Sequence, residues 1–393
     1  MLLLLAHMAV VVPPAAMAAT ASTAFVPSSD AQVLARVPAR STDPRARELL
    51  ALRAAWRQQP QDVDTAVQLA TRYFDEVAAE GDPRYVGYAQ SVLQPWWAMA
   101  EPPPAVRVLR AQVLQFDHQF AQALADLDGA LRQQPDLGRA WAWRTAILMV
   151  QADYKQARRS CEQMAPYGSA LIAAGCLAQV DAATGRAAVA AASLRAALAQ
   201  HPGASPEERL WSLTRLAETE ERLGNSAAAE AAFRQALALG TADVYLQAAY
   251  ADFLLDRGRA ADVLALLKGR GRADVLLLRQ ALAARATSDP TAATLAQELA
   301  ARFAAAKLRG DTSHQKEESR FVLALQGDAP RALVLAQQNY AVQREPADAR
   351  ILLEAALAAR NAVAAAPALA WLESSGIESV SLQALAARIK GLK

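Results

Sequence analysis

The sequence predicts an all-α chain, a right-handed α-solenoid of stacked antiparallel helix pairs. Three observations carry this. Phe120 and Ala123 reappear as Tyr154 and Ala157, each 34 residues on, and Gly224 reappears as Gly258 at the same interval. Glycine and proline fall between periodic apolar segments and not inside alternating β-branched runs. Hydrophobic residues, heavily Ala and Leu, make up 53% and charged residues 20%, enough apolar material for a continuous core and too much for wholesale disorder. The 393 residues are enough for two or three ordinary domains or one long repeat array, and the interval favours the array.

The N-terminus is read first. Leu2 to Val12 is an apolar run of 11 residues, followed by Pro13, Pro14 and the small triplet Ala16-Met17-Ala18. Residues 1–19 are therefore expected to be a cleaved export signal, with residues 20–43 as linker. The run is shorter than the ~20 residues a membrane span needs, so no stable span is expected after cleavage. No Lys or Arg precedes Arg36, which is atypical of such signals. The chain is expected to be periplasmic or secreted; the alternative is a frayed apolar tail on a cytoplasmic protein.

Residues 44–103 read as diverged helical pairs. Asp43-Pro44 opens a helix carrying Leu49, Leu52, Ala55 and Trp56, and Asp62 caps a second with Ala66, Leu69, Ala70 and Tyr73. Gly81-Asp82-Pro83 ends that helix, another starts near Arg84, and Pro102-Pro103-Pro104 closes the block. Residues 104–269 hold the core units. Each has a first helix with a small residue at its packing point, a tight turn, and a second helix carrying Ala-x-x-x-large. These are Ala111, Ala123 and Leu127 in the first unit, then Thr145, Ala157 and Cys161, then Ala178, Ala190 and Leu194, then Ala217, Ala229 and Phe233. Small residues let antiparallel backbones approach, and the bulky residue one turn on fills the gap. In residues 270–380 the spacing drifts, with helices expected over 275–286, 291–308, 319–325, 329–343, 349–359 and 364–374. Residues 381–393 are expected to form a C-terminal cap helix.

Trp141, Leu148, Tyr154 and Ala157 in one unit, and Leu213, Leu216, Ala217, Ala229, Phe233 and Ala236 in another, resemble the pattern of tetratricopeptide repeats. Arg107, Arg110 and Glu220 depart from it, standing where that family prefers Trp, Leu and Tyr. The C-terminal half looks like secreted bacterial proteins of this repeat type. The resemblance implies a non-enzymatic scaffold binding a protein or peptide partner through a concave face lined by the first helices, here in the bacterial envelope. On that face it places Gln112, Gln115, Arg139, Met149, Trp211, Thr214, Glu218, Glu221, Tyr245, Asp252 and Asp256, an aromatic and acidic groove suited to an extended or basic peptide. The Lys and Asn that clamp C-terminal carboxylates in some members are absent from these helices. Two other readings stay open: a structural assembly factor using its ends or convex face, and an enzyme whose site forms only on folding.

Little else in the sequence points to chemistry. The four histidines lie at 7, 118, 201 and 314, without metal-ligand spacing, and no phosphate-loop or hydrolase motif occurs, so no cofactor or metal is expected. With 41 basic against 39 acidic side chains the net charge is +2, which gives no nucleic-acid footprint. Cys161 and Cys176, the only two cysteines, fall on helices of adjacent units. In an oxidising compartment they can bridge; in a reducing one they are two buried core thiols.

Overall fold

The computed structural model describes residues 29, 32, 43–311 and 314–392, so the expected export signal and most of the linker lie outside the described residues. The chain divides into two compact units between Glu48 and Leu49. Of the first, Ser29, Gln32, Asp43 and the opening of α1 (Pro44–Gln58) are described. The second holds the helical array.

Helices pair with their sequence neighbours throughout the array. In the first half α2 (Val63–Glu80) packs on α3 (Arg84–Val92), and a single turn, α4 (Gln94–Trp97), follows. Then α5 (Pro104–Phe116) pairs with α6 (Phe120–Gln133), α7 (Gly138–Val150) with α8 (Tyr154–Met164), α9 (Ala170–Ala183) with α10 (Ala187–Gln200), and α11 (Pro206–Arg222) with α12 (Ser226–Ala238). In the second half α13 (Val244–Leu255) pairs with α14 (Ala260–Leu266), α15 (Asp274–Ala286) with α16 (Ala292–Leu308), and α17 (Gln315–Phe321) with α18 (Ala329–Val342). Last come α19 (Pro346–Ala358), α20 (Ala366–Ser375) and α21 (Val380–Lys390), the last lying against α19. No strand occurs among the described residues. The fold is an all-α solenoid of stacked antiparallel pairs.

The expected seams are the seams. Ala123, Ala157, Ala190 and Ala229 are each 0% exposed, and Leu127, Cys161, Leu194 and Phe233 beside them are equally buried. The tight turns need a left-handed residue. Gly224 supplies it at φ 83° and Gly258 at 69°, but His118 and Ala152 take the same position at φ 59° and 60°. A side chain there costs roughly 1 kcal/mol or more, which the packing of the flanking helices must outweigh.

The three departures from the repeat pattern are explained by charge. Glu220, 2% exposed, pairs with Arg195 and accepts a bond from Asn225 Nδ2 at 2.8 Å. Arg110 holds Asp126 bidentately at 2.5 and 2.6 Å. The Arg107 guanidinium lies over Gly129, where a Cβ would collide with it, and donates to Ala100 O at 2.9 Å. Buried ion pairs at Arg110 and Glu220, and a guanidinium–carbonyl bond at Arg107, therefore replace the apolar contacts expected at these positions. One boundary also moves: the helix expected over 319–325 starts at Gln315 and ends in a wider π-turn, Val322–Gln326, stopped by Gly327 at φ 72°.

First helices touch first helices, α5 to α7, α9 to α11, α13 to α15 and α17 to α19, so they form the inner wall. That wall closes on itself within the array. The C-terminal end of α2 meets α13 and the start of α15, where a Cβ on Gly81 would lie 2.5 Å from that of Ala273. Arg344 N donates to Val150 O at 2.8 Å, Trp371 Nε1 to Tyr154 OH at 2.9 Å, and Ala187 N to the Glu378 carboxylate at 2.6 Å.

Candidate functional site

Closure leaves an inner cavity of about 950 Å³. Its walls come from α2, α7, α9, α11, α13, α15, α17, α19 and the first turn of α21. On α11 the side chains facing it are Arg215, Glu218, Thr219, Glu221 and Arg222; on α13 they are Val244, Tyr245, Ala248, Ala249 and Asp252, with Asp256 just past its end. The spacings 215, 218, 222 and 245, 248, 252 follow one helix face.

Six of the eleven residues expected on this face line the cavity: Met149, Glu218, Glu221, Tyr245, Asp252 and Asp256. The other five do not. Gln112 and Thr214 are both 2% exposed, packed between helices, with the Thr214 hydroxyl bonded back to Leu210 O at 2.8 Å. Trp211 covers Gly175, Arg139 is exposed at the start of α7, and Gln115 is half-buried outside the cavity. The α11 stripe is turned by about one residue from the expected register, because Leu213, Leu216 and Ala217 take the seam and carry Trp211 and Thr214 with them.

The acidic character expected of the groove is also corrected, since the chain supplies its own cations. Asp252 lies between Arg279, at 2.6 and 3.0 Å, and Arg320, at 2.6 Å. Burial alone would raise its carboxyl, but Arg279 and then Arg320 hold it far below the ordinary range. Asp256 is clasped by Arg350 at 2.5 and 2.7 Å, from 94 residues along the chain. Glu218 accepts from Tyr245 OH at 2.5 Å and pairs with Arg215 at 3.1 Å. The Arg215 guanidinium also stacks 4.6 Å from the Tyr245 ring centre, a cation–π contact. Glu221 differs: burial and then Asp256 push its carboxyl up to about 7, although Arg257 lies 3.3 Å away and draws it down. Tyr245 is 52% exposed, and the surface it offers is cavity wall.

None of the seven cations of the wall, Arg215, Arg222, Arg257, Arg279, Lys316, Arg320 and Arg350, was among the expected residues. Arg215 and Arg222 were legible in principle, lying three residues before and four beyond Glu218 on its stripe, and Arg257 follows Asp256 directly; the other four lie in the drifted half, where the inner face cannot be read from spacing. Cys161 on α8 and Cys176 on α9 have their sulfurs 2.04 Å apart and Cα atoms 5.6 Å apart. Among the described residues no cluster of His, Cys, Asp and Glu has metal-holding geometry, and no helix is long and apolar enough to cross a membrane.

Fold and site together define a helix-hairpin solenoid closed around a charged inner cavity. No family model matches the chain, and no curated protein matches it. Solved structures similar to it include the APC/C hetero-tetramer Cut9–Hcn1, at 12% identity and a TM-score of 0.47, over 84% of this chain and 64% of that one. The chain thus spans less than two thirds of that protein's length. A tetratricopeptide repeat protein from Parabacteroides merdae is 14% identical with a TM-score of 0.40, over 66% of this chain and 92% of that one. The human IFIT1 dimer with PPP-AAAA is 13% identical with a TM-score of 0.46, over 84% and 86%.

Proposed function

We propose that the chain is a non-enzymatic binding scaffold of the bacterial envelope, and that a protein partner enters its inner face with a short peptide segment. The observation that carries this is the cavity of about 950 Å³ walled by first helices. Its size falls in the range of roughly 300–1,000 Å³ typical of ligand sites, room for a few residues but not for a folded surface. The carboxylates of Glu218, Asp252 and Asp256 are held in ion pairs with Arg215, Arg279 and Arg350, which suits a fixed wall better than proton transfer. The apolar run from Leu2 to Val12 accords with export, and the pairing of Cys161 on α8 with Cys176 on the neighbouring α9 suits an oxidising setting.

A photo-crosslinking residue placed at Ala248, in the cavity, is compared with one at Leu308, 91% exposed on α16. In cells, a discrete adduct from position 248 alone supports the reading. Adducts from 308 alone would sink it and favour an assembly factor working through its outer face.

A further inference from the structure

The cavity wall carries one cation that the chain does not neutralise. Seven cationic side chains line it, and six lie within ion-pair distance of a carboxylate: Arg215, Arg257, Arg279, Lys316, Arg320 and Arg350. Arg222, among the described residues, does not. A guanidinium has five N–H donors. The one hydrogen bond Arg222 makes runs to Thr219 Oγ1 at 3.4 Å, and its Nε is buried without a partner. Glu218 is the carboxylate whose field acts on it most, and that carboxylate is already taken by Arg215 and Tyr245. The wall's carboxylates without an ion pair are better served: Asp243 accepts from Leu246 N at 2.7 Å, Glu317 lies in the field of Lys316 and Arg279, and burial and then Asp348 push the Glu345 carboxyl up toward its neutral form. A desolvated guanidinium with no anion is costly, so the site is incomplete as it stands.

We infer that the occupant of this cavity carries a single carboxylate, seated on Arg222, and an apolar body lying against Val244, Ala248, Ala249, Val275 and Ile351. This rests on the reading of the cavity as the binding site and names the chemistry of what enters it. One negative charge answers one unpaired cation. A dianion such as phosphate would face the neighbouring Glu218 and Glu221 with its second charge, which disfavours it. The planar fork of a guanidinium matches a carboxylate bidentately. Such a group can come from a peptide, as an acidic end or side chain, or from a small organic acid. Burial holds the Arg222 guanidinium below its usual range, as expected for a cation lacking its counter-ion.

The test is calorimetric titration of the full chain with four probes: N-acetyl-Leu-Leu as the acid and as the amide, octanoate, and octanol. The acids are expected to bind roughly 10- to 100-fold more tightly than their neutral counterparts, the span of a charge-assisted bond. Arg222→Gln should abolish that preference and Arg222→Lys retain part of it. Response to the peptide acid alone supports the site with a peptide as its source. Response to octanoate alone supports it with a small organic acid, and corrects the partner class. Equal binding of acids and neutral probes overturns the carboxylate while leaving the cavity a binding site. No binding by any probe overturns both. The unliganded Arg222→Gln chain should melt no lower than the wild type, since it loses only an unpaired charge. A clear drop would reveal an internal anion and overturn the inference.

Discussion

Replacing Glu221 by Gln isolates a titration of the cavity wall that falls near neutral pH. The carboxyl stands at about 7 against 4.5 for an ordinary glutamate, because burial and then Asp256 favour its protonated form. The folded chain thus binds this proton more tightly than the unfolded one. The stability gained is fully present below about pH 4.5 and is lost as the pH rises to about 7. At about 1.4 kcal/mol per pH unit the whole change is about 3 kcal/mol, and about 2 once partial screening by cavity water is allowed for. Urea unfolding of wild type and Glu221→Gln from pH 4 to 8.5 reads the effect directly. The stability of the wild type relative to the variant should fall by about 2 to 3 kcal/mol across that window and stay flat above it. Loss of the Arg257 contact shifts the offset between the two curves but not their divergence. Parallel curves would refute the reasoning, and so would divergence in the opposite sense.

Two further outcomes follow from named contacts. Reduction of the Cys161–Cys176 bridge, or Cys161→Ser, should lower stability by about 3 kcal/mol, the chain-entropy value for a loop of this length. An unreduced chain whose mass already matches two free thiols would show that the bridge does not form in that setting. Asp252→Asn should destabilise by roughly 3–5 kcal/mol by leaving Arg279 and Arg320 facing each other in the wall; a loss below 1 kcal/mol on urea unfolding would show that water screens them.

The match between pattern and fold is closest where a single side chain had only one place to go. Ala123, Ala157, Ala190 and Ala229 sit at backbone approaches that admit nothing larger. Asp62 caps α2 as its position suggested, accepting from the backbone N–H of Thr65, and the structure adds Asp153 and Ser205 as caps of α8 and α11 with the same three-residue reach. The cavity was half legible. Glu218 and Tyr245 follow from the stripe of their own helices, whereas Trp211 and Thr214 fall on the seam side of a helix whose rotation is set by its neighbours. Arg320 and Arg350 carry no local mark at all, because what makes them matter is 68 and 94 residues away.

The amino-acid sequence by itself determined the hairpins, their caps and the small-and-large seams that stack them. All of these are interactions within about one repeat, written in periods of 3.6 and 34 residues. Only the tertiary structure decided that the inner wall closes, that α19 and α21 share it with α11, and that the groove's acids meet the chain's own arginines. Closure is the sum of small rotations from pair to pair, and no single residue states that sum.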